Sequence, residues 1–141
     1  MVKLELRSDE GEVETAWAKH LGGNRYRLDN IPFFAYGISE GDVVEAEPQA
    51  KGFPLVKRVV GKSGNRTVRV FFERGSKTLP AQALLSELRK LGCSWELATE
   101  SLVCMTVPPA ASLDRVAAIL TKTGVTWEHV DPTYEEFHPG G

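Results

Sequence analysis

The side chains best suited to metal binding or nucleophilic attack are three histidines and two cysteines in 141 residues. His20, His129 and His138 fall in three distant segments. None has ligand spacing to a cysteine or a second histidine, so the four convergent ligands of a zinc site are not expected. Cys93 and Cys104 form no Cys-x-x-Cys pair, and no basic residue adjoins either to stabilise a thiolate. They read as buried free thiols. Asp29 and Asp42 flank an aromatic run and could in principle form an acid–base pair. The stronger reading is structural, because Asp and Asn at strand ends bond the turning backbone and Gly-Asp commonly opens a strand. Gly22-Gly23 and the GKSGN run at 61–65 lack the strand–glycine loop–helix setting of a phosphate or dinucleotide site. Gly61-Lys62-Ser63 resembles the end of a phosphate loop, but the upstream glycine is missing and a strand follows. We therefore expect no catalytic residue, no metal and no cofactor.

The elements around these residues divide the chain into two rhythms. In residues 1–64, Val2, Leu4 and Leu6 alternate with Lys3, Glu5 and Arg7, and a second alternating run extends through Trp17. Gly22-Gly23-Asn24 predicts a tight hairpin into a third strand, with Tyr26 and Leu28 inward and Arg25 and Arg27 outward. A corner follows, built by Asp29, Asn30, Pro32 and Phe33, and Gly41 with Asp42 launches a fourth strand. Phe33 and Phe34 are adjacent, so one is expected to plug a barrel end while the other is half exposed. Residues 53–60 predict a fifth strand, placed at an edge by Pro54. Five short strands punctuated by turns predict a small β-barrel-like domain.

Residues 65–131 predict a strand, a helix with Ala81, Leu84, Leu85, Leu88 and Leu91 on one stripe, two strands, a helix capped by Ser112, and a last strand. Gly92 and Gly124 stand where left-handed helix ends are expected. The order β-α-β-β-α-β predicts a ferredoxin-like unit, and the fold class is α+β. Residues 132–141 read as a polar tail. A turn at Thr99-Glu100 would set Trp95 opposite Cys104 and Leu97 opposite Leu102. Ala98, Val103, Met105 and Val107 would then make the sheet's second face apolar, in need of a cover.

Charge excludes more than it suggests. Residues 1–65 carry nine Lys/Arg and ten Asp/Glu, and residues 66–141 carry eight and nine, making up the 17 and 19 of the chain and its net charge of −2. Neither half is a basic module, which argues against electrostatically driven binding to nucleic acid or anionic membrane. The ferredoxin-like topology is shared by RNA-recognition modules, but their third strand needs glycine and aromatics. Here that strand, LVCMTV at 102–107, has neither, leaving only Phe71 or Phe72 as a stacking platform. No apolar run suits a signal peptide or a membrane span, and two cysteines are too few for a disulfide scaffold, so a cytoplasmic protein is expected.

One resemblance adds to this. Trp17-Ala18, YRLDNIPFF at 26–34, GDVVEAEP at 41–48, SGN at 63–65 and VRVFFE at 68–73 resemble the bacterial family known as domain of unknown function 4265. The resemblance carries no catalytic residues. It implies, through relatives proposed as immunity partners of bacterial toxins, a non-enzymatic protein that neutralises a cognate toxin. Arg25, Arg27, Phe34 and Tyr36 are the expected partner-binding residues, since exposed aromatics and arginines dominate interface hot spots. A homodimer is compatible with this reading. The alternative is a regulator of small-molecule or nucleic-acid type, with its ligand at the junction of the two halves.

Overall fold

Alternation of apolar and polar residues makes β1 (Val2–Arg7) an amphipathic strand, burying Leu4 and Leu6. It pairs antiparallel with β2 (Val13–Gly22), which turns through Gly23 and Asn24 into β3 (Arg25–Leu28). β4 (Val43–Glu47) and β5 (Leu55–Gly61) complete a closed five-stranded barrel in sequence order. The computed structural model describes residues 1–137. It divides into two compact units, Met1–Asn65 and Arg66–Gly141. The tail expected over 132–141 contains a short helix, α3 (Tyr134–Phe137), while residues 138–141, with His138, lie outside the described residues.

The barrel core consists of Leu4, Leu6, Ala16, Ala18, Leu28, Ala35, Val44 and Ala46. Half of these are alanines, as a narrow barrel interior requires. With Ala16 and Ala18 inside, strand alternation directs Trp17 outward, and it is 45% exposed. Register shifts between Val43 and Val44, and between Glu45 and Ala46, help β4 and β5 bend. Two expectations change here. β5 is no edge strand: it meets β1 in parallel at Glu5 and Leu55, and Pro54 precedes it. Nor does Phe33 plug the barrel. Ala35 joins the core and Ile38 packs against it, because the interior admits small side chains and excludes a phenyl ring.

In the second unit β6 (Arg66–Phe71), β7 (Ser94–Leu97), β8 (Leu102–Val107) and β9 (Thr126–Asp131) form an antiparallel sheet in the order β7-β8-β6-β9. α1 (Leu79–Lys90) is capped by Thr78, whose side chain accepts the Ala81 N–H. α2 (Leu113–Thr123) is capped by Ser112 and ends at Gly124 with φ 75°. Leu84, Leu85, Leu88, Leu113, Val116 and Leu120 pack from both helices onto Val68, Val70, Val103, Met105 and Val107.

The β7–β8 register differs from expectation by one residue: Trp95 lies opposite Met105, Glu96 opposite Cys104 and Leu97 opposite Val103. The cause is the loop, in which Ala98 and Thr99 both donate to the Leu102 carbonyl. A one-residue slip exchanges the faces. Val103, Met105 and Val107 therefore belong to the helix-side core, and the other face carries Glu96, Cys104, Arg69 and Glu128 in one cross-strand row. That face is mostly polar, with Phe71 and Leu102 as its large apolar members, and the apolar row expected there from Val103, Met105 and Val107 lies on the helix side instead.

Candidate functional site

The corner between β3 and β4 gathers most of the special residues in the barrel, and its polar atoms are turned inward on the chain. Asn30 Oδ1 accepts the Trp17 N–H at 2.6 Å, and the Asp29 N–H donates to the Trp17 carbonyl at 2.8 Å. Glu14, on β2, accepts three successive backbone N–H groups, from Phe33 and Phe34 at 2.8 Å each and from Ala35 at 3.1 Å. Three converging amides make an anion-binding concavity. Here the chain's own carboxylate fills it.

Asp42 is buried completely. Its Oδ2 accepts the Ser39 N–H at 2.9 Å and the Lys62 ammonium, and its Oδ1 accepts the Ser63 N–H at 2.8 Å. The Glu40 carbonyl accepts from the Ser63 hydroxyl at 2.8 Å and from the Asn65 amide at 2.9 Å. Gly41 has φ +85°, and a Cβ there would stand 3.0 Å from the Ser63 Cβ. The Gly41-Asp42 pair and the run at 62–65 are thus one knot that ties β4 to the end of β5. Asp42 has no lone pair facing solvent and Asp29 is exposed, so the two do not make an acid–base pair.

The residues expected to bind a partner are split by β3. Arg25 opens the strand, within 3.8 Å of Glu45, and Arg27 follows on the same outer face. Phe34 and Tyr36 lie beyond the strand's other end, 36% and 49% exposed. They do not form a single cluster with Arg25.

A different set of residues does converge. An open groove of about 580 Å³ runs along the barrel surface between Val2, Lys3, Trp17, Phe53 and Pro54. His20 and Tyr26 line it too, their rings 4.8 Å apart, and His20 Nε2 donates to the Gly23 carbonyl at 2.7 Å. Lys3 faces Trp17 across the β1–β2 pair. Its ammonium sits 5.0 Å from the Trp17 ring centre and 5.9 Å from that of Phe53, in cation–π range. Trp17 and Phe53 are each nearly half exposed and Val2 is 41% exposed, a concentration of large apolar groups that folding does not use. Sequence reasoning passed over this groove. The signal lay in the parity of β2, where two alanines inside require the tryptophan outside.

Cys93 and Cys104 are both buried thiols. Cys93 is buried in the helix-side core, and burial raises its thiol pKa above the usual value, opposed by the nearby Arg66 charge. A protonated thiol is a poor nucleophile. Among the described residues no group of three or more His, Cys, Asp or Glu could hold a metal ion, and no helix is long and apolar enough to cross a membrane.

No curated protein matches the chain. A solved structure described as a novel crystal structure of a hypothetical protein from Neisseria gonorrhoeae is similar to it, with a TM-score of 0.78 and 16% identity, covering 94% of this chain and 95% of that one. At that identity the likeness speaks for the fold alone. The family model described as Domain of unknown function (DUF4265) matches residues 14–129, and the chain belongs to that family.

Proposed function

We propose that this is a non-enzymatic protein-binding protein that docks its partner on the barrel groove around Trp17. The observation that carries the reading is the exposure of Trp17, Phe53 and Val2 around Lys3. Large aromatics at the centre of a patch, with cations beside them, are the composition of an interface hot spot. Arg25 and Arg27, flanking Tyr26 on β3, serve as polar rim, and Phe34 and Tyr36 give a second, smaller contact. The second unit is read as a ferredoxin-like scaffold, supported by its β-α-β-β-α-β order, its β7-β8-β6-β9 sheet and its two helices packed on one face. The most concrete form of the function is a cytosolic immunity protein that neutralises a cognate bacterial toxin.

The test is co-expression with toxin-like neighbouring genes, joined to affinity capture with the intact chain and with Trp17→Ala. We expect a partner that the intact chain rescues or retains, and at least a tenfold weaker association for Trp17→Ala with an unchanged circular dichroism spectrum. A partner held equally well by Trp17→Ala and Phe53→Ala, or the failure to find any tight partner, overturns the reading.

A further inference from the structure

Beside Lys3 the closing seam of the barrel is incomplete, and Pro54 is the reason. β1 and β5 meet at one register pair, Glu5 with Leu55, and the Glu5 N–H donates to the Pro54 carbonyl at 2.8 Å. Backbone groups alternate sides along a strand, so Lys3, two residues earlier, also turns its N–H and carbonyl toward the seam. Trp17 is consistent with this. It faces Lys3 across the β1–β2 pair, yet its own N–H and carbonyl bond Asn30 and Asp29 instead of β1. Were the parallel ladder to continue, the Lys3 carbonyl would accept from residue 54, but proline has no N–H to give. Among the described residues no backbone hydrogen bond joins Lys3 to residues 52–54. A main-chain donor and acceptor therefore face the groove that Trp17 and Phe53 flank.

We propose that an extended segment of a partner protein adds to this edge of β1. It pairs with the main chain of Lys3, lays an apolar side chain against Trp17 and Phe53, and brings a carboxylate to the Lys3 ammonium. Strand addition draws affinity from backbone bonds and selectivity from alternate side chains. The sign of the preferred charge follows from the lining, which contains Lys3 and His20 and no Asp or Glu. Both recognised side chains must reach the barrel's outer face, so they stand two residues apart in the segment. This inference rests on the protein-docking reading above and names the chemistry of the occupant.

The test uses the intact protein, labelled with nitrogen-15, and the blocked hexapeptide Thr-Val-Thr-Asp-Thr-Val. The Lys3 amide and the Trp17 indole resonances are expected to shift together and saturate. Replacing the peptide's aspartate by lysine should weaken binding at least fivefold. Of two N-methylated versions, one blocked at the threonines and one at the other three residues, only one should lose binding, since a strand pairs through one edge. Pro54→Ala should weaken the peptide at least threefold without touching an aromatic ring, because residue 54 then offers its N–H to Lys3. Shifts at Trp17 with Lys3 unmoved, or equal binding of both N-methylated versions, overturn strand addition while leaving the docking reading in place. So does a shift produced by an oligothymidylate and not by the peptide, which would assign the groove to single-stranded nucleic acid. Silence of every peptide, together with a captured partner indifferent to Trp17→Ala, removes both readings.

Discussion

The two ends of β2 use opposite chemistry. At one end Glu14 gathers the amides of Phe33, Phe34 and Ala35, and beyond them Asp42 gathers Ser39, Ser63 and Lys62. Toward the other, His20 and Tyr26, with Trp17 at mid-strand, border an open groove with Lys3 as its cation. Six residue steps along the strand lead from Glu14 to His20, roughly 20 Å at the usual rise. The corner and the Gly41-Asp42 pair lie at the first end and bond within the chain. Trp17 and Tyr26, which also carry the family resemblance, border the groove instead. A distinctive residue in this protein therefore has either of two causes, turning the chain or facing the groove, and only its bonding partners tell which.

Substitutions should separate the two ends. The largest effect is expected for Asp42→Ala. Removing a fully buried carboxylate leaves two backbone N–H groups without their acceptor and takes from the Lys62 ammonium its carboxylate partner, leaving it the Gly37 carbonyl at 3.1 Å. Breaking such a group from one side costs about 3–5 kcal/mol. Denaturant unfolding of the barrel's signal should show that loss, and a change below about 1 kcal/mol would remove Asp42 from the role assigned to it. Glu14→Gln is milder. One amide oxygen stays to accept, but the charge-assisted character of three bonds is lost, at about 1–2 kcal/mol. Amide exchange at Phe33, Phe34 and Ala35 should quicken together. If only one of the three responds, the shared concavity is the wrong description.

How far this difference could be read from the chain depends on whether the relevant contacts are local. Leu4 and Leu6 on β1, the Leu84–Leu88 stripe, the Ser112 cap and the Gly124 terminus depend on neighbours within a turn or two, and all were legible. The Trp95–Met105 pairing was not. It depends on whether the turn leaves an even or an odd number of residues between paired positions, and a single step moves Val103 and Met105 from one face to the other. Hydropathy alone also misplaced the barrel plug. Phe33 is the larger apolar residue, but a five-stranded interior already holding Leu4, Leu6 and Leu28 takes Ala35. Glu14 was silent for a different reason: its partners lie 19 to 21 residues away, and a lone glutamate on a strand reads as a solvated side chain.

A modest expected effect on stability is the most informative about the groove. Trp17 is a large side chain at the centre of a strand, and in a core its loss to alanine would cost about 3–5 kcal/mol. Here the ring is 45% exposed, and what it gives up is a cation–π contact with Lys3 and partial cover over its neighbours. Such a contact near the surface is worth about 0.5–1 kcal/mol. The cation–π contact and the lost cover together set the expected shift for Trp17→Ala at about 1–2 kcal/mol, well below Asp42→Ala on the same barrel. A tryptophan that the fold scarcely needs is available for another task. A loss of several kcal/mol would instead make Trp17 a structural residue and erase the contrast between the two ends of β2.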